Sequence, residues 1–400
     1  MAGESNIRRL SVRGFRAGGI ASGIKKGGRK DLALIVSDSP SSVAGVFTSN
    51  RVKAAPVLFD IKRAGKGVSR GVIINSGNAN ACTGEKGFRD AKAMAKAAEG
   101  ALGLKDGSLL VASTGVIGVP LPIEKITSSI LRLSQRLSPS GWMDAAEAIR
   151  TTDAFAKAAV KKKRIGGRDV TLLGIAKGAG MICPDMATML AFFATDAVMD
   201  SATLKDALSN AVRLSFNRIT VDNGTSTNDT VLIFANGLCG GQPIRAGGQG
   251  FAAFSELLTE LSLKLSHMVV RDGEGATRFI AVEVRGAVSE GEAKAAARKI
   301  AGSLLVKTAF FGGDPNWGRI MAALGSSGIK MREGSVEIYL NRVRVVEDGM
   351  DTGMEKAAAR AIKKRDVTVE VDLKLGSHIY KLWTTDLSYD YVRINSSYRS

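Results

Sequence analysis

Short apolar runs rich in β-branched residues alternate with segments of helical period over the first 280 residues. That alternation restricts the chain to a mixed α/β architecture. The strand candidates are residues 33–36, 46–48, 72–74, 109–112 and 170–175. Phe88, Ala91, Ala95, Ala98 and Leu102 recur at helical spacing and give a helix with a small-residue face. Leu204, Leu208, Ala211 and Val212 do the same behind Ser201, read as the N-cap. Phe254, Leu257, Leu258, Leu261, Leu265 and Met268 line one face of a longer helix. Past residue 280 the character changes. Residues 279–284 alternate as a strand, and Ser289 with Glu292 makes a capping box ahead of Ala293, Ala296, Ala297 and Ile300. Val367, Val369, Val371 and Leu373 alternate strictly before Leu375-Gly376 turns the chain into 379–383, the pattern of a β-hairpin. These patterns predict a larger α/β domain over 1–280 and a smaller α+β domain over 281–400, a division that 400 residues accommodate.

Composition removes several function classes. The cysteines Cys82, Cys183 and Cys239 are odd in number and lack a CxxC spacing, which argues against a disulfide framework or a structural zinc and for a reducing compartment. The first residues carry no apolar signal core, and no apolar run approaches the ~20 residues that cross a bilayer, so the expectation is a cytoplasmic protein with no membrane partner. A net charge of +18 raises nucleic acid as a partner. The basic residues are spread along the chain, however, and the one dense run, Lys161-Lys162-Lys163-Arg164, has no aromatic residues interleaved for base stacking. A solvated basic surface that attracts anionic substrates is the better reading, with no nucleic-acid partner.

Histidine is scarce. His267 sits in a helical pattern and His378 in a strand pattern, so both read as structural rather than as members of a Ser-His-Asp set. HExxH, GxxxxGK[ST] and GxGxxG between a strand and a helix are all missing, so neither a metal nor a cofactor is expected. What remains is the block from Lys177 to Ala194, a glycine-rich loop that runs through Cys183, Ala187 and Thr188 into a buried strand. A threonine at a strand start becomes a nucleophile if the bond before it is cut. Its hydroxyl attacks the Ala187 carbonyl, the acyl group moves from nitrogen to oxygen, and hydrolysis leaves Thr188 as a new N-terminus. The freed α-amine then serves as base for its own hydroxyl, and no histidine is needed. Gly178 and Gly180 supply the backbone freedom for that geometry. The competing reading is a glycine loop entering a core strand, with threonine chosen for β-propensity. Two polar loops also follow strands, at residues 75–84 and 113–118. In the second, the Thr114 hydroxyl and the unhindered Gly115 N–H suit a pair of oxyanion donors.

The segments NSGNANACTG, STGVIG, TTD at Thr151–Asp153, KGAGMICPDMATML, TSTNDT at Thr225–Thr230, RDGEGATR at Arg271–Arg278, GGDPNWGRI at Gly312–Ile320 and the terminal YVRINSSYRS run in order over essentially the full chain. Together they resemble the ornithine acetyltransferase family, the glutamate N-acetyltransferases of arginine biosynthesis. The resemblance implies an N-terminal-nucleophile-like α/β/β/α sandwich with a smaller C-terminal α+β domain. It implies autocleavage between Ala187 and Thr188 into α (1–187) and β (188–400) chains that stay associated, as an α2β2 heterotetramer. It further implies ping-pong acetyl transfer from N-acetylornithine to glutamate through acetyl-Thr188, with Thr114 and Gly115 as the oxyanion hole. Thr151 or Thr152, Lys177, Thr188 and Glu274 would bind substrate, and Asn395 and Ser400 would close the site. No cofactor is implied, and acetyl-coenzyme A is left open as a second donor. Chemically, Glu274 offers a carboxylate to the ornithine ammonium, and Lys177 a cation to an α-carboxylate.

Two departures stand out. Asp185 replaces a usual asparagine, and Asp222-Asn-Gly-Thr225 replaces Asp-Gly-Asp-Thr, which bears on cleavage efficiency and substrate preference. An aminopeptidase or amidase of the same fold is the nearest rival, with water as acceptor; a basic RNA-binding protein is the rival from another class.

Overall fold

The computed structural model describes residues 10–183 and 189–397. Asp185, Ala187, Thr188 and Ser400 therefore lie outside the described residues. The first part runs β1 (Phe15–Ile20), β2 (Leu32–Phe47), α1 (Ala55–Ala64), β3 (Val68–Asn78), α2 (Gly84–Ala101), β4 (Leu109–Val116), α3 (Ile123–Ser134), α4 (Trp142–Ala148), β5 (Lys157–Ile165) and β6 (Arg168–Lys177). It continues through β7 (Leu190–Thr195), α5 (Ser201–Leu214), β8 (Thr230–Ala235) and α6 (Gln249–Arg271). Eight strands form one sheet in the order β4-β3-β2-β8-β7-β6-β5, with β1 also on β2.

The strand β2 explains how one hydrogen-bonded sheet makes two layers. Residues 32–36 pair with β1 and β3, whereas residues 42–47 pair with β8. The register breaks between Val36 and Ser41, where Pro40 has no N–H to give to a ladder. The two sequence candidates at 33–36 and 46–48 are thus one strand shared by both layers. Period-2 alternation then sorts the side chains. Leu32, Leu34, Ile73, Leu109 and Val111 face α2 and α3. Ala33, Ile35, Val72, Ile74 and Leu110 face the other way, onto Leu173, Ile175, Leu190, Phe192, Leu232 and Phe234. The far side of that second layer, with Leu172, Ala191, Phe193, Val231 and Ile233, is covered by α5 and α6. The result is an α/β/β/α sandwich, in which strands buried on both faces read as near-continuous apolar runs.

The remaining chain forms β9 (Phe279–Ala287), α7 (Glu290–Ala301), α8 (Leu304–Gly312), α9 (Trp317–Gly325), β10 (Glu337–Leu340), β11 (Val343–Glu347), β12 (Met350–Asp351), α10 (Glu355–Ala361), β13 (Asp366–Asp372), β14 (His378–Thr385) and α11 (Tyr389–Ser397). A six-stranded sheet, β12-β11-β10-β13-β9-β14, has its own apolar core against these helices. The expected hairpin does not form. β9 lies between β13 and β14, parallel to the first and antiparallel to the second. The turn crosses over the end of β9 because Leu375 and Gly376 both donate to the Gly286 carbonyl, and a Cβ at Gly376 would come within 2.4 Å of the Ala287 oxygen.

Capping also differs in one place. Asp200, not Ser201, caps α5, accepting the Thr203 N–H at 2.8 Å. Ser289 caps α7 as expected, accepting from Glu292. The basic run at 161–164 lies on the edge strand β5, which the sequence reading did not assign.

Candidate active site

The ends of β3, β4 and β6 and the loops after α4 and α6 meet around a cavity of about 250 Å³. Its lining includes Thr114, Gly115, Thr151, Thr152, Lys177, Glu274 and Asn395, so every described residue expected in the oxyanion hole or at the substrate lines one space. Gly115 closes β4 at φ +134°, against the irregular end of β3. A Cβ there would lie 2.3 Å from the Gly77 carbonyl carbon, so only glycine allows the two strand ends to approach.

Lys177, at the end of β6, is 3% exposed, and its Nζ donates to the hydroxyls of Thr151 at 2.8 Å and Thr114 at 3.2 Å. Burial pushes its pKa down, while the charges of Asp153, Asp229 and Glu274 oppose that shift. Asp153 holds the segment around it. Its carboxylate accepts the Gly178 N–H at 2.7 Å and the Thr151 N–H at 3.0 Å. Behind it, Lys157 is fully buried between Asp153 and Asp272, each at 2.6 Å. Burial alone would raise the Asp153 pKa, but the ammonium charges of Lys157 and Lys177 and its hydrogen bonds outweigh that and hold it below the usual carboxylate range.

Glu274 enters from the loop after α6, anchored by its N–H on the Ala179 carbonyl at 2.9 Å. Its carboxyl carbon lies 2.4 Å from where a Cβ on Gly180 would stand, so glycine at 180 makes room for this charge. Asn395 of α11 donates to Glu274 at 2.7 Å. Asp222 gathers the N–H groups of Met181, Ile182 and Gly224 at 2.6, 2.9 and 3.1 Å and accepts the Tyr391 hydroxyl at 3.2 Å. Asn223, at φ +60°, donates to the Gly302 carbonyl at 3.1 Å, so the departure from the usual acidic loop still makes an ordered turn. Asn228 bridges the carbonyls of Ala79 and Ser113 at 2.6 and 2.8 Å.

Sequence reasoning gave no role to Asp153, Lys157, Asp222, Asn228, Asp229, Asp272 or Tyr391. Most stand inside segments it had quoted, but which acid meets which cation is fixed only by strand register. The histidines lie elsewhere. His267 packs on the rings of Phe279 and Trp383, and burial followed by the Arg271 and Lys381 charges lowers its pKa to about 4. His378 is exposed on β14. Cys183 is partly exposed. Among the described residues no group of three or more His, Cys, Asp or Glu is placed to hold a metal, and no helix is long and apolar enough to cross a membrane.

Fold and cavity together define a four-layer α/β/β/α protein whose site pairs a buried lysine with a facing carboxylate, flanked by hydroxyl and glycine N–H groups. The ArgJ family description matches residues 16–400, and the chain belongs to the ArgJ family. It is similar to the "Arginine biosynthesis bifunctional protein ArgJ" of Geobacter sulfurreducens, 48% identical over 393 residues, 98% of this chain and 100% of that one. The protein of the same name from Caldanaerobacter subterraneus is 47% identical over 97% of each chain. A solved structure of arginine biosynthesis bifunctional protein ArgJ from Bacillus halodurans matches with 41% identity, 51% of this chain, 96% of that chain and a TM-score of 0.49.

Proposed function

We propose that this chain is a self-processed acyltransferase of arginine biosynthesis that moves an acetyl group from N-acetylornithine to glutamate. The observation that carries the reading is the pairing, across one small cavity, of the Glu274 carboxylate and the buried Lys177 ammonium. An amino-acid substrate presents the two complementary charges, and charge-assisted bonds to both ends would orient it. The names of the relatives support the same pathway. Ala187–Thr188 is cut by the Thr188 hydroxyl, and the new α-amine then takes the proton from that hydroxyl as it attacks the acetyl donor. Thr114 and the Gly115 N–H stabilise the oxyanion, and ornithine leaves before glutamate enters. Thr151 and Thr152 line the substrate pocket, Asn395 holds Glu274, and Ser400 closes the tail over the site. The α and β chains stay together as an α2β2 heterotetramer in the cytoplasm, without metal or other cofactor, and with no nucleic-acid or membrane partner. Acetyl-coenzyme A serves as a second donor, which accords with the word bifunctional in the relatives' names.

The test combines intact-mass analysis with product analysis. The wild type should give a fragment that begins at Thr188, whereas Thr188→Ala should stay a single 42.0 kDa chain without transferase activity. N-acetylglutamate should form from N-acetylornithine only when glutamate is present. Acetate release at the same rate without glutamate would make the protein an amidase instead, and a fully active uncut chain would remove the N-terminal threonine mechanism.

A further inference from the structure

A second cleft, of about 680 Å³, lies between α7, α8 and α9 and has no part in the chemistry above. Arg298 and Lys299 of α7, Ser303 just before α8 and Arg319 of α9 line it, with Leu305 and alanines of α7 and α9 between them. Among the described residues no carboxylate is part of that lining. Arg319 is held by neutral acceptors, its Nη1 donating to the Leu305 carbonyl at 2.8 Å and the Thr308 hydroxyl at 3.3 Å. Those bonds aim the guanidinium without cancelling its charge. The Ser303 oxygen accepts the Val306 N–H at 3.4 Å, which leaves its own hydrogen to donate. Cations, a hydroxyl donor and small apolar surface in a space this large suit an organic phosphate better than a bare anion.

The cleft shares a wall with the catalytic cavity. Asp222 and Gly224 line the cavity, and Asn223 between them lines the cleft. Successive Cα atoms are about 3.8 Å apart, so one turn of backbone separates the two spaces. Gly302 lets that turn sit close against the end of α7, since a Cβ there would lie 2.7 Å from the Asn223 Nδ2. The cavity itself, at about 250 Å³, has room for an amino acid but not for a nucleotide as well.

We propose that this cleft holds the phosphate-bearing nucleotide end of acetyl-coenzyme A, whose thioester arm passes the 222–224 turn to reach the catalytic cavity. The inference rests on the second-donor reading above and deepens it, giving that donor a seat apart from the amino-acid pocket. Lys299 meets the phosphates as a point charge and Arg319 as a planar fork. The adenine lies on Leu305 and the alanines.

The test measures N-acetylglutamate formation from each donor, and coenzyme A binding by calorimetry, with the full chain. Arg319→Gln and Lys299→Glu should each raise KM for acetyl-coenzyme A, and weaken coenzyme A binding, at least ~10-fold, as loss of a charged contact implies. Kinetics with N-acetylornithine should not change. If Arg319→Gln does not fold, Lys299→Glu decides, because Lys299 is exposed. A wild type that makes no N-acetylglutamate from acetyl-coenzyme A defeats the second-donor reading and this inference with it. A wild type that does so, with KM and binding unmoved in the folded variants, overturns the cleft alone. An equal rise in KM for N-acetylornithine would also overturn it, as general damage to the protein. Inorganic phosphate separates the two sources of the same chemistry. It should displace coenzyme A only in large excess, and displacement at equal concentration would assign the cleft to the free anion instead.

Discussion

Strand β5 carries two kinds of lysine on one face. Lys161 and Lys163 pair with Glu260 and Glu256 near the middle of α6, their side chains 37% exposed. Lys157, at the start of the same strand, is 0% exposed and pairs with Asp153 and with Asp272, which follows the end of α6. Residue type and supporting helix are the same in all three cases; depth differs. In water the outer pairs gain little, since screening and side-chain ordering offset the attraction. In the interior each charge has given up its hydration, and the cluster holds together only as a complete set. The basic composition of this chain is thus two different things, a solvated flank and a fixed charge scaffold behind Lys177.

Breaking the inner set should have the largest effect. Asp153→Ala leaves Lys157 with one of its two carboxylate partners and frees the Gly178 N–H, so unfolding in denaturant should show a loss of about 3–5 kcal/mol. The wild type should show the same dependence on pH. The folded pKa of Asp153 lies below the ~3.9 of an unfolded aspartate, so its stabilisation is complete above about pH 4 and disappears as pH falls toward the folded value. Removing only the charge at the cavity wall should cost activity instead of fold. Glu274→Gln should lower kcat/KM for N-acetylornithine by an amount equivalent to about 2–5 kcal/mol while self-cleavage proceeds normally. Unchanged kinetics would reduce Glu274 to a structural partner of Asn395.

The outer pairs should respond weakly. Lys161→Ala should change stability by less than about 1 kcal/mol, and added salt should shrink even that difference. A loss as large as that of Asp153→Ala would erase the distinction between the two lysine classes. The smallest effect belongs to His267→Gln. With its pKa lowered to about 4, His267 is neutral through the working range, and the pH profile of the acetyl-donor half-reaction should not move.

The same contrast explains what could be read from the sequence. Thr114, Gly115, Thr151, Thr152, Lys177, Glu274 and Asn395 lie in glycine- or hydroxyl-rich segments at element ends, a local signal, and they line one cavity. Lys157 gave no signal, because a lysine four residues before a basic run reads as more of the same surface. Its burial depends on β5 lying against β6 and under the end of α6, a tertiary fact. The hairpin failed for a related reason. Strict alternation in 367–373 and the turn into the apolar run at 379–383 fix two strands but not their neighbours, and β9, some 80 residues earlier, takes the place between them. β2, β3, β6 and β7 were legible because they are buried on both faces, whereas β8, equally buried between β2 and β7, was not assigned from the sequence. β5 alternates less clearly, being an edge strand with lysines on its covered side.

The order of strands in the first sheet gives the proposed cut an unusual mechanical character. β7 and β8 follow the cut in sequence, yet they lie in the middle of the sheet, with β2 on one side and β6 on the other. Six residue pairs join β8 to β2, and six join β7 to β6. The later fragment is therefore a wedge, gripped along both flanks by the earlier one, and severing one peptide bond removes a tether without opening a seam. Pulling the wedge out would unzip two ladders at once and bare both faces of the strands that line the inner core. Neither fragment should hold a stable shape alone. Residues 1–187 and 188–400 refolded separately and then mixed should yield little, and the same two fragments refolded together should recover the assembled sheet.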